Sequence, residues 1–307
     1  MPGWWDDGNY KNVTSVVFDE SFADARPTST YYWFSFMKSL TSVSGLKYLN
    51  TSEVTNMSNM FYQCENLASL DLRYFNTGRV RKFDNMFAQC ELLDGIDVSG
   101  FVTTSAVSME GMFYACHSLK ALDLIGFTTR DVTNMHSLFA GCKLLTSLDL
   151  GSFNTANVNN MASMFYNCEA LETVKVGAGW STAEVLDSKN MFYNCTSLVG
   201  GAGTSYDAEH LDAEYAHIDG GAANPGYLTA VEGLMQGDVN DDGKADIADV
   251  VALSNAILAG STDLKYDIND DLSERQGHHR PRKHHRREIK QNQTKQKTNQ
   301  KGLPQFL

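Results

Sequence analysis

The cysteines of this chain recur at an almost constant interval, and no other feature limits the fold as strongly. Successive cysteines are 26 residues apart, with 27 in the last interval, and each follows a phenylalanine by three positions. A fixed period of about 20 to 50 residues is the signature of a solenoid, in which one small unit is copied and stacked. The sequence therefore predicts a ladder that presents a surface. The six members are Cys64, Cys90, Cys116, Cys142, Cys168 and Cys195.

Apolar residues recur with the same period and predict the content of each unit. Positions equivalent to Leu70 and Leu72 alternate with polar residues, which is typical of a strand. A later set is spaced i, i+3, i+4, i+7 and i+10, which is typical of one face of a helix. We therefore predict a short strand, a turn and a short helix in each unit, with apolar faces buried by stacking. The later set in one copy is Met57, Met60, Phe61, Cys64 and Leu67.

One run of sequence carries a family resemblance. Residues 48–64, YLNTSEVTNMSNMFYQC, resemble the repeat of BspA-like leucine-rich-repeat surface proteins, and six consecutive copies extend this likeness over residues 38–200. The resemblance implies an α/β leucine-rich-repeat solenoid, with short parallel strands on one side and short helices on the other. It also implies a bacterial surface protein that acts in adhesion. We interpret residues 1–37 as an N-terminal cap with an incomplete start, and residues 201–233 as a C-terminal cap.

Three further columns share the period. For the cysteines, isolated thiols argue against zinc, and burial as small hydrophobes is favoured over disulfides. The threonines follow each strand, where a hydroxyl can bond the backbone. The aspartates leave two alternatives open. In one, their carboxylates are satisfied by backbone hydrogen bonds and solvent. In the other, a cation or basic ligand lies along the acidic strip, at whose end Lys175 occupies the same column. The threonines are Thr51, Thr77, Thr103, Thr129, Thr155 and Thr182, and the aspartates are Asp71, Asp97, Asp123 and Asp149.

Surface residues of the repeats are the candidate ligand contacts. Tyr74 and Arg73 are two of them, and a row of tyrosines follows the phenylalanine column. The acidic residues recur with the scaffold instead of forming one constellation, and we find no P-loop, nucleophile elbow or His-Glu-x-x-His motif. We therefore predict that the protein is not an enzyme. The row consists of Tyr62, Tyr114, Tyr166 and Tyr193.

Beyond the repeats, residues 238–249 match a calcium-binding loop. Oxygen ligands stand at loop positions 1, 3, 5, 9 and 12, glycine at position 6 allows the sharp bend, and position 7 offers its backbone carbonyl. The segment resembles the first half of a type I dockerin, which implies a small EF-hand-like module, bound Ca²⁺ and a cohesin partner. The predicted ligands are Asp238, Asn240, Asp242, Lys244, Asp246 and Asp249.

A second loop of this kind begins at Asp267 and then breaks off. Leu272 stands where glycine is required, and Arg275 stands at ligand position 9. We read residues 234–271 as a partial dockerin and residues 272–307 as a disordered basic tail. A reading-frame shift near codon 272 is one hypothesis for the change. A polyanion-binding tail is the rival hypothesis, and histidine-mediated metal binding is a weaker one.

Charge and hydropathy narrow the class of partner. The tail carries ten Lys/Arg and two Asp/Glu, whereas residues 1–271 carry 15 against 35, so the body has a net charge of −20. Such an acidic body disfavours nucleic acid, and no apolar run is long enough to span a bilayer. The segment Met1–Asp7 lacks the pattern of a signal peptide, so either the protein is cytoplasmic or its true start is missing, and we expect the second.

The function predicted from these features is extracellular or cell-surface binding. We expect a non-enzymatic bacterial adhesion protein whose repeat surface contacts a protein or glycan, with a calcium-dependent dockerin-like tether. The alternative is an accessory component of an extracellular polysaccharide-degrading complex, recruited by binding of the dockerin to cohesin.

Overall fold

The repeats form a stack of parallel coils. The computed structural model describes residues 8–231 of the 307-residue chain. One residue from each coil forms a parallel bridge to its counterpart in the next, at a spacing of 26 or 27 residues, and this confirms the predicted solenoid. The first of these bridges is at Ser29, inside the segment predicted as the N-terminal cap. The bridged residues are Ser29, Asn56, Lys82, Ser108, Asn134, Asn160 and Asp187.

Short parallel strands mark one side of the stack. Strands β1 (Ser15–Val17) and β2 (Ser42–Ser44) pair with each other at the N-terminal end. Strands β3 (Ser147–Leu150), β4 (Thr173–Val176) and β5 (Leu228–Ala230) form a parallel sheet in that order. Side chains alternate between exposed and buried along β3, as predicted for the leucine columns. The parallel strands of the prediction are therefore confirmed for these segments.

The predicted helices of the repeat units are wrong. Across residues 8–231 the helical elements are 3-10 helices of three or four residues, and no helix there is long and apolar enough to cross a membrane. The segment from Met57 to Cys64, predicted as one face of a helix, consists of successive turns. The 3-10 helices are Asn9–Asn12, Glu20–Phe22, Leu46–Tyr48, Ala213–Tyr215 and Gly221–Ala223.

Backbone geometry explains why these segments are turns. Asn59 and Gln63 have φ angles of 58° and 59°, in the left-handed region that interrupts an α-helix, and the equivalent positions of the other coils repeat this. The N–H of Asn59 donates to the carbonyl of Asp84 in the next coil at 2.8 Å. Between such residues, Met60 donates to Met57 three residues back. The backbone on this side thus alternates between local turns and bonds to the neighbouring coil, and we call it the turn side.

The core is a set of aligned columns. Seven phenylalanine rings from Phe34 to Phe192 lie one above another, with neighbouring centroids 5.1–6.0 Å apart. A second column of three rings runs from Phe101 to Phe153 at 6.5 Å. The residues that appeared to form a helix face are fully buried beside the first column. The hydrophobic spacing therefore predicted burial correctly, because a three-residue turn returns side chains to the inside almost as a helix does.

The last coil is closed by a polar turn around Asp219. Its side chain is 8% exposed and accepts N–H groups from Ala202, Thr204 and Gly221 at 2.8–2.9 Å. The Thr204 hydroxyl also donates to it at 2.7 Å. Burial raises the pKa of Asp219, but these hydrogen bonds outweigh burial and hold its pKa well below the usual range. Tyr227 then covers the final phenylalanine edge to face, at 5.1 Å.

Candidate binding surface

The threonine column joins neighbouring coils. The hydroxyl of Thr103 donates to the carbonyl of Thr128 at 2.9 Å and accepts the N–H of Thr128 at 2.7 Å. Thr51, Thr77 and Thr129 make the same pair of bonds, and each is at most 1% exposed. The predicted structural role is confirmed for these four threonines and for Thr155, which bonds Ser181 in the same way, and they lie beneath the surface that a ligand would meet. It does not extend to Thr182, which is half-buried.

The cysteine column is buried and unbridged. All six thiols are free and 0% exposed. Each Sγ donates to a phenylalanine carbonyl of the preceding coil, as Cys116 does to Phe87 at 3.2 Å. Burial raises the pKa of Cys116 and of Cys168 to about 12, far from thiolate chemistry at neutral pH. The prediction of structural thiols is confirmed.

The aspartate column is held mainly by its own backbone. In Asp97, Asp123 and Asp149, one carboxylate oxygen accepts the N–H two residues ahead at 2.9–3.1 Å. Lys175 is the register partner of Asp149 in the adjoining strand, as the column predicted. The backbone alternative is thus confirmed, and a cation or basic ligand along the strip stays a prediction. Among residues 8–231, no group of three or more His, Cys, Asp or Glu side chains is arranged to hold a metal ion.

The predicted tyrosine row lies on the turn side but is not continuous. Tyr114 and Tyr193 are 38% and 43% exposed, while Tyr62 and Tyr166 are half-buried. Tyr166 and Tyr193 stack with their centroids 4.9 Å apart. The equivalent positions in two intervening coils are alanines, both buried, so the row is broken into separate groups. Those alanines are Ala88 and Ala140.

A different cluster forms on the opposite side, where each chain segment turns after the strand position. We call it the basic–aromatic patch and define it as Lys47, Tyr48, Arg73 and Tyr74. The two pairs occupy the same position in successive coils, because each lies in a turn closed by an i to i−3 backbone bond. Those bonds run from Leu49 to Leu46 and from Phe75 to Leu72, at 3.1 and 2.9 Å.

Cations and rings are interleaved within the patch. The Lys47 Nζ lies 4.7 Å from the centroid of the Tyr48 ring, and the guanidinium of Arg73 lies 5.8 Å from that of Tyr74. Arg73 also donates from Nε to Asp71 at 2.8 Å, and this contact lowers the pKa of Asp71. Because these groups are largely exposed, the ion pair contributes little to stability. Its effect is to orient the guanidinium beside the ring.

Two hollows flank the patch. One of about 370 Å³ is lined by Lys47, Tyr48 and Tyr74 together with the asparagines of both turns. The other, of about 310 Å³, lies between Lys47, Asp71 and Tyr74. The asparagines, Asn50 and Asn76, each accept the N–H two residues ahead through Oδ1, at 3.0 and 3.2 Å. This contact fixes each amide, whose Nδ2 is an additional donor group at the hollow.

Sequence reasoning found half of this patch. Arg73 and Tyr74 were predicted contacts, and the structure places Tyr74 at 50% exposure. Lys47 and Tyr48 were missed, although their signal was the same basic–aromatic dipeptide 26 residues earlier. The predicted calcium ligands at positions 238–249 lie outside the described residues.

Comparison with known proteins places the repeats in a family. The family model described as "Mycoplasma protein of unknown function, DUF285" matches residues 28–123 and 119–220, which is more than half of the chain. The chain belongs to the DUF285 family. The two DUF285 matches contain every coil bridge from Asn56 to Asp187 and most of the closing segment.

Comparisons with solved structures and with curated proteins show weaker similarity or none. A leucine-rich repeat protein from Bacteroides ovatus ATCC 8483 is similar at 17% identity and a TM-score of 0.24, with 62% of this DUF285 chain covered. The alignment spans 66% of that protein's chain, just under two thirds of it. A search of curated proteins gave no significant match.

Proposed function

We propose that this protein is a non-enzymatic binding protein of the bacterial surface, and that its DUF285 coils present the ligand contacts. The observation that carries this proposal is how the repeat columns are used. Threonine hydroxyls, cysteine thiols and phenylalanine rings contact neighbouring coils inside the stack. The basic–aromatic patch and the turn-side tyrosines instead direct aromatic and cationic groups outward, which suits recognition at a surface.

A capture experiment with two surface variants tests this proposal. Full-length chain on beads is incubated with detergent-solubilised cell-envelope extract, and retained species are identified by mass spectrometry. One variant carries Lys47→Ala, Arg73→Ala and Tyr74→Ala, and its counterpart on the turn side carries Tyr114→Ala and Tyr193→Ala. We expect the patch variant to lose a defined set of species that the turn-side variant retains. Equal retention by wild type and both variants would contradict binding through these surfaces.

The second part of the proposal is a calcium-dependent tether after the coils. It rests on the spacing of oxygen ligands from Asp238 to Asp249, and on the resemblance of this segment to half a dockerin. A loop with this ligand set stabilises the fold around it only when calcium is bound. The tether would place the binding surface at a cell envelope or on a larger assembly that displays cohesin domains.

Calorimetry separates the tether from the coils. Titration of the full chain with calcium is expected to show one site, and Asp238→Ala is expected to abolish its heat because position 1 is a direct ligand. Asp131→Ala, which changes an exposed carboxylate within the repeats, is the control and is expected to leave the heat unchanged. No heat from wild type at millimolar calcium would refute the site.

A further inference from the structure

The basic–aromatic patch has the chemistry of a carbohydrate subsite. We propose that it binds a short, uncharged oligosaccharide, with the exposed ring of Tyr74 supporting one sugar unit and Tyr48 lining the hollow beside it. This inference rests on the proposed binding function and gives that function a ligand class. It depends on the residues of two adjacent coils and on no other part of the stack.

The patch is a local departure from the repeat. At the position of Arg73, the next four coils carry Ser99, Ile125, Gly151 and Gly177, so basic residues occur there only in the first two coils. At the position of Tyr74 the same coils carry small residues and no ring. The solenoid folds without an aromatic side chain at this position, so the Tyr74 ring, which is 50% exposed, is available for another role, whereas Tyr48 also packs against the core. The small residues are Gly100, Gly126, Ser152 and Ala178.

The spacing of the coils fits a chain of sugar rings. Neighbouring strands in a sheet lie about 4.8 Å apart, and the stacked phenylalanines repeat at 5.1–6.0 Å. One pyranose unit in an extended oligosaccharide advances by a comparable length. A ring added on the coil after Tyr74 would therefore be offset from it by about the length of one sugar unit. The C–H groups on the flat side of a pyranose carry partial positive charge and match the negative face of an aromatic ring.

Polar groups around the rings match sugar hydroxyls. The hollow of about 370 Å³ is near the lower limit for small-molecule sites, which are lined by aromatic groups and a few fixed polar ones. The backbone-anchored amides of Asn50 and Asn76 bring Nδ2 donors to it, and Asp71 lines the neighbouring hollow with a carboxylate acceptor. Lys47 lines both hollows and adds a further donor. Donors and an acceptor at one place are what a vicinal diol needs.

Charge favours an uncharged ligand. The guanidinium of Arg73 is already paired with Asp71, so Lys47 is the main uncompensated charge of the patch. The described part of the chain is acidic, with 23 Asp/Glu against 13 Lys/Arg in residues 8–231. Such a field repels a polyanionic glycan at long range. It has little effect on a neutral one.

A folded protein partner fits this patch less well. Stable protein interfaces bury about 800 Å² on each side around an apolar centre. Here two small hollows are bordered by asparagine, aspartate and lysine. The exposed aromatic area ends at Tyr74, because the equivalent position of the next coil is Gly100. Compact ring-shaped ligands match this geometry better than a flat macromolecular face does.

Isothermal titration of the full chain with defined hexasaccharides tests the inference. The neutral probes are cellohexaose, laminarihexaose, mannohexaose and maltohexaose, and hexagalacturonic acid is the charged comparison. We expect at least one neutral probe to bind, and Tyr74→Ala to weaken it about tenfold, which corresponds to about 1.4 kcal/mol. Tyr31→Ala, at a tyrosine that is 45% exposed and lies outside both candidate surfaces, is the matched control and is expected to leave binding unchanged.

A gain-of-function variant makes the test independent of any loss of folding. A Cβ added at Gly100 would meet no atom within 4 Å, and its φ is outside the left-handed region, so a side chain fits there. Gly100→Tyr extends the row to a third coil and is expected to tighten binding of the same probe. Thermal unfolding followed by circular dichroism checks that each variant keeps the wild-type fold.

Three results would overturn the inference. They are failure of every neutral probe to bind, binding of the charged probe alone, and binding that Tyr74→Ala does not weaken. In each case the capture experiment above still reports whether the chain retains a protein through the patch. A failed oligosaccharide test is therefore distinguishable from a failed binding function.

Discussion

At the scale of single residues, the repeat is held together by side chains that act between coils. A threonine hydroxyl forms hydrogen bonds with one carbonyl and one N–H of the neighbouring coil, and both groups would otherwise have no partner. The cysteine thiol donates one such bond, to a carbonyl of the neighbouring coil. Both residue types are small enough to fit between aligned backbones. The even spacing of the cysteines thus reflects where the coils meet and not a reactive site.

Replacement of one buried threonine tests this reading. Thr103→Val keeps the shape but leaves the N–H and carbonyl of Thr128 without a partner, and each buried unpaired group costs about 1–3 kcal/mol. We expect the free energy of unfolding in urea to fall by about 2 kcal/mol or more. The neighbouring Thr104 is exposed, so Thr104→Val is a matched control with little expected effect. Equal losses in the two variants would contradict the role of the buried hydroxyl.

At the scale of elements, the sequence predicted burial better than conformation. The positions of Met57, Met60 and Leu67 were correctly placed inside, and only the helix drawn through them was wrong. Polar residues such as Asn59 and Gln63 gave the missing signal, because asparagine tolerates the left-handed conformation better than most residues. Hydrophobic periodicity does not separate a helix from successive turns whose N–H groups bond a neighbouring coil. That distinction depends on a partner outside the window of sequence.

The candidate patch was half predicted for a related reason. The cysteine column sets the alignment from Cys64 onwards, whereas the first coil has Met37 in the equivalent place and is one residue longer. Lys47 and Tyr48 therefore fell at the start of the recognised repeats, where their match to Arg73 and Tyr74 is hard to see. Exposure and the flanking hollows depend on which side chains the next coil lacks, and this required the structure.

A glycine substitution on the turn side is expected to change the free energy of unfolding in the opposite direction to the same substitution in a helix. Ser163 has a φ of 56°, a conformation that costs a non-glycine residue about 1–2 kcal/mol. Ser163→Gly is therefore expected to raise the free energy of unfolding by about 0.5 kcal/mol, after the entropy cost of glycine is subtracted. In a helix the same change would destabilise. Ala162→Gly, next to it but without positive φ, is expected to lower stability by about 1 kcal/mol. Urea unfolding of both variants gives the comparison.

The closing turn predicts a pH dependence. The pKa of Asp219 is depressed in the folded protein, so its contribution is fully present above the unfolded pKa of about 3.9 and is lost as pH falls towards the folded value. Asp219→Asn is expected to cost about 1.5–3 kcal/mol at pH 7, and this difference from wild type should shrink below about pH 4. Asp149→Asn, at an exposed carboxylate with one backbone N–H, is the control. A difference that stays constant down to pH 2 would contradict the ionised state of Asp219.

At the scale of the whole described stack, each coil contacts only its neighbours, so stability is close to a sum over coils and their interfaces. The surface can then vary from coil to coil without loss of the fold. The basic–aromatic patch is one such variation, confined to two coils. The interior columns keep the same register in every coil, whereas the exterior residues differ from coil to coil. A repeat protein can therefore acquire a ligand site by few substitutions.

Removal of one complete coil tests that additivity. Deletion of residues 105–130 joins Thr104 to Asp131, and the Thr103 hydroxyl then faces Asn154, the equivalent of its present partner Thr128. Because every column keeps its register, we expect a folded chain with a single unfolding transition and a urea m-value lower by roughly a tenth. Deletion of residues 105–117 removes half a coil, places polar side chains in the core columns and is expected to abolish cooperative unfolding. Comparable unfolding of the two deletion variants would show that register between coils does not determine the fold. The patch lies entirely before residue 105, so we expect the 105–130 deletion, which keeps the register, to retain oligosaccharide binding.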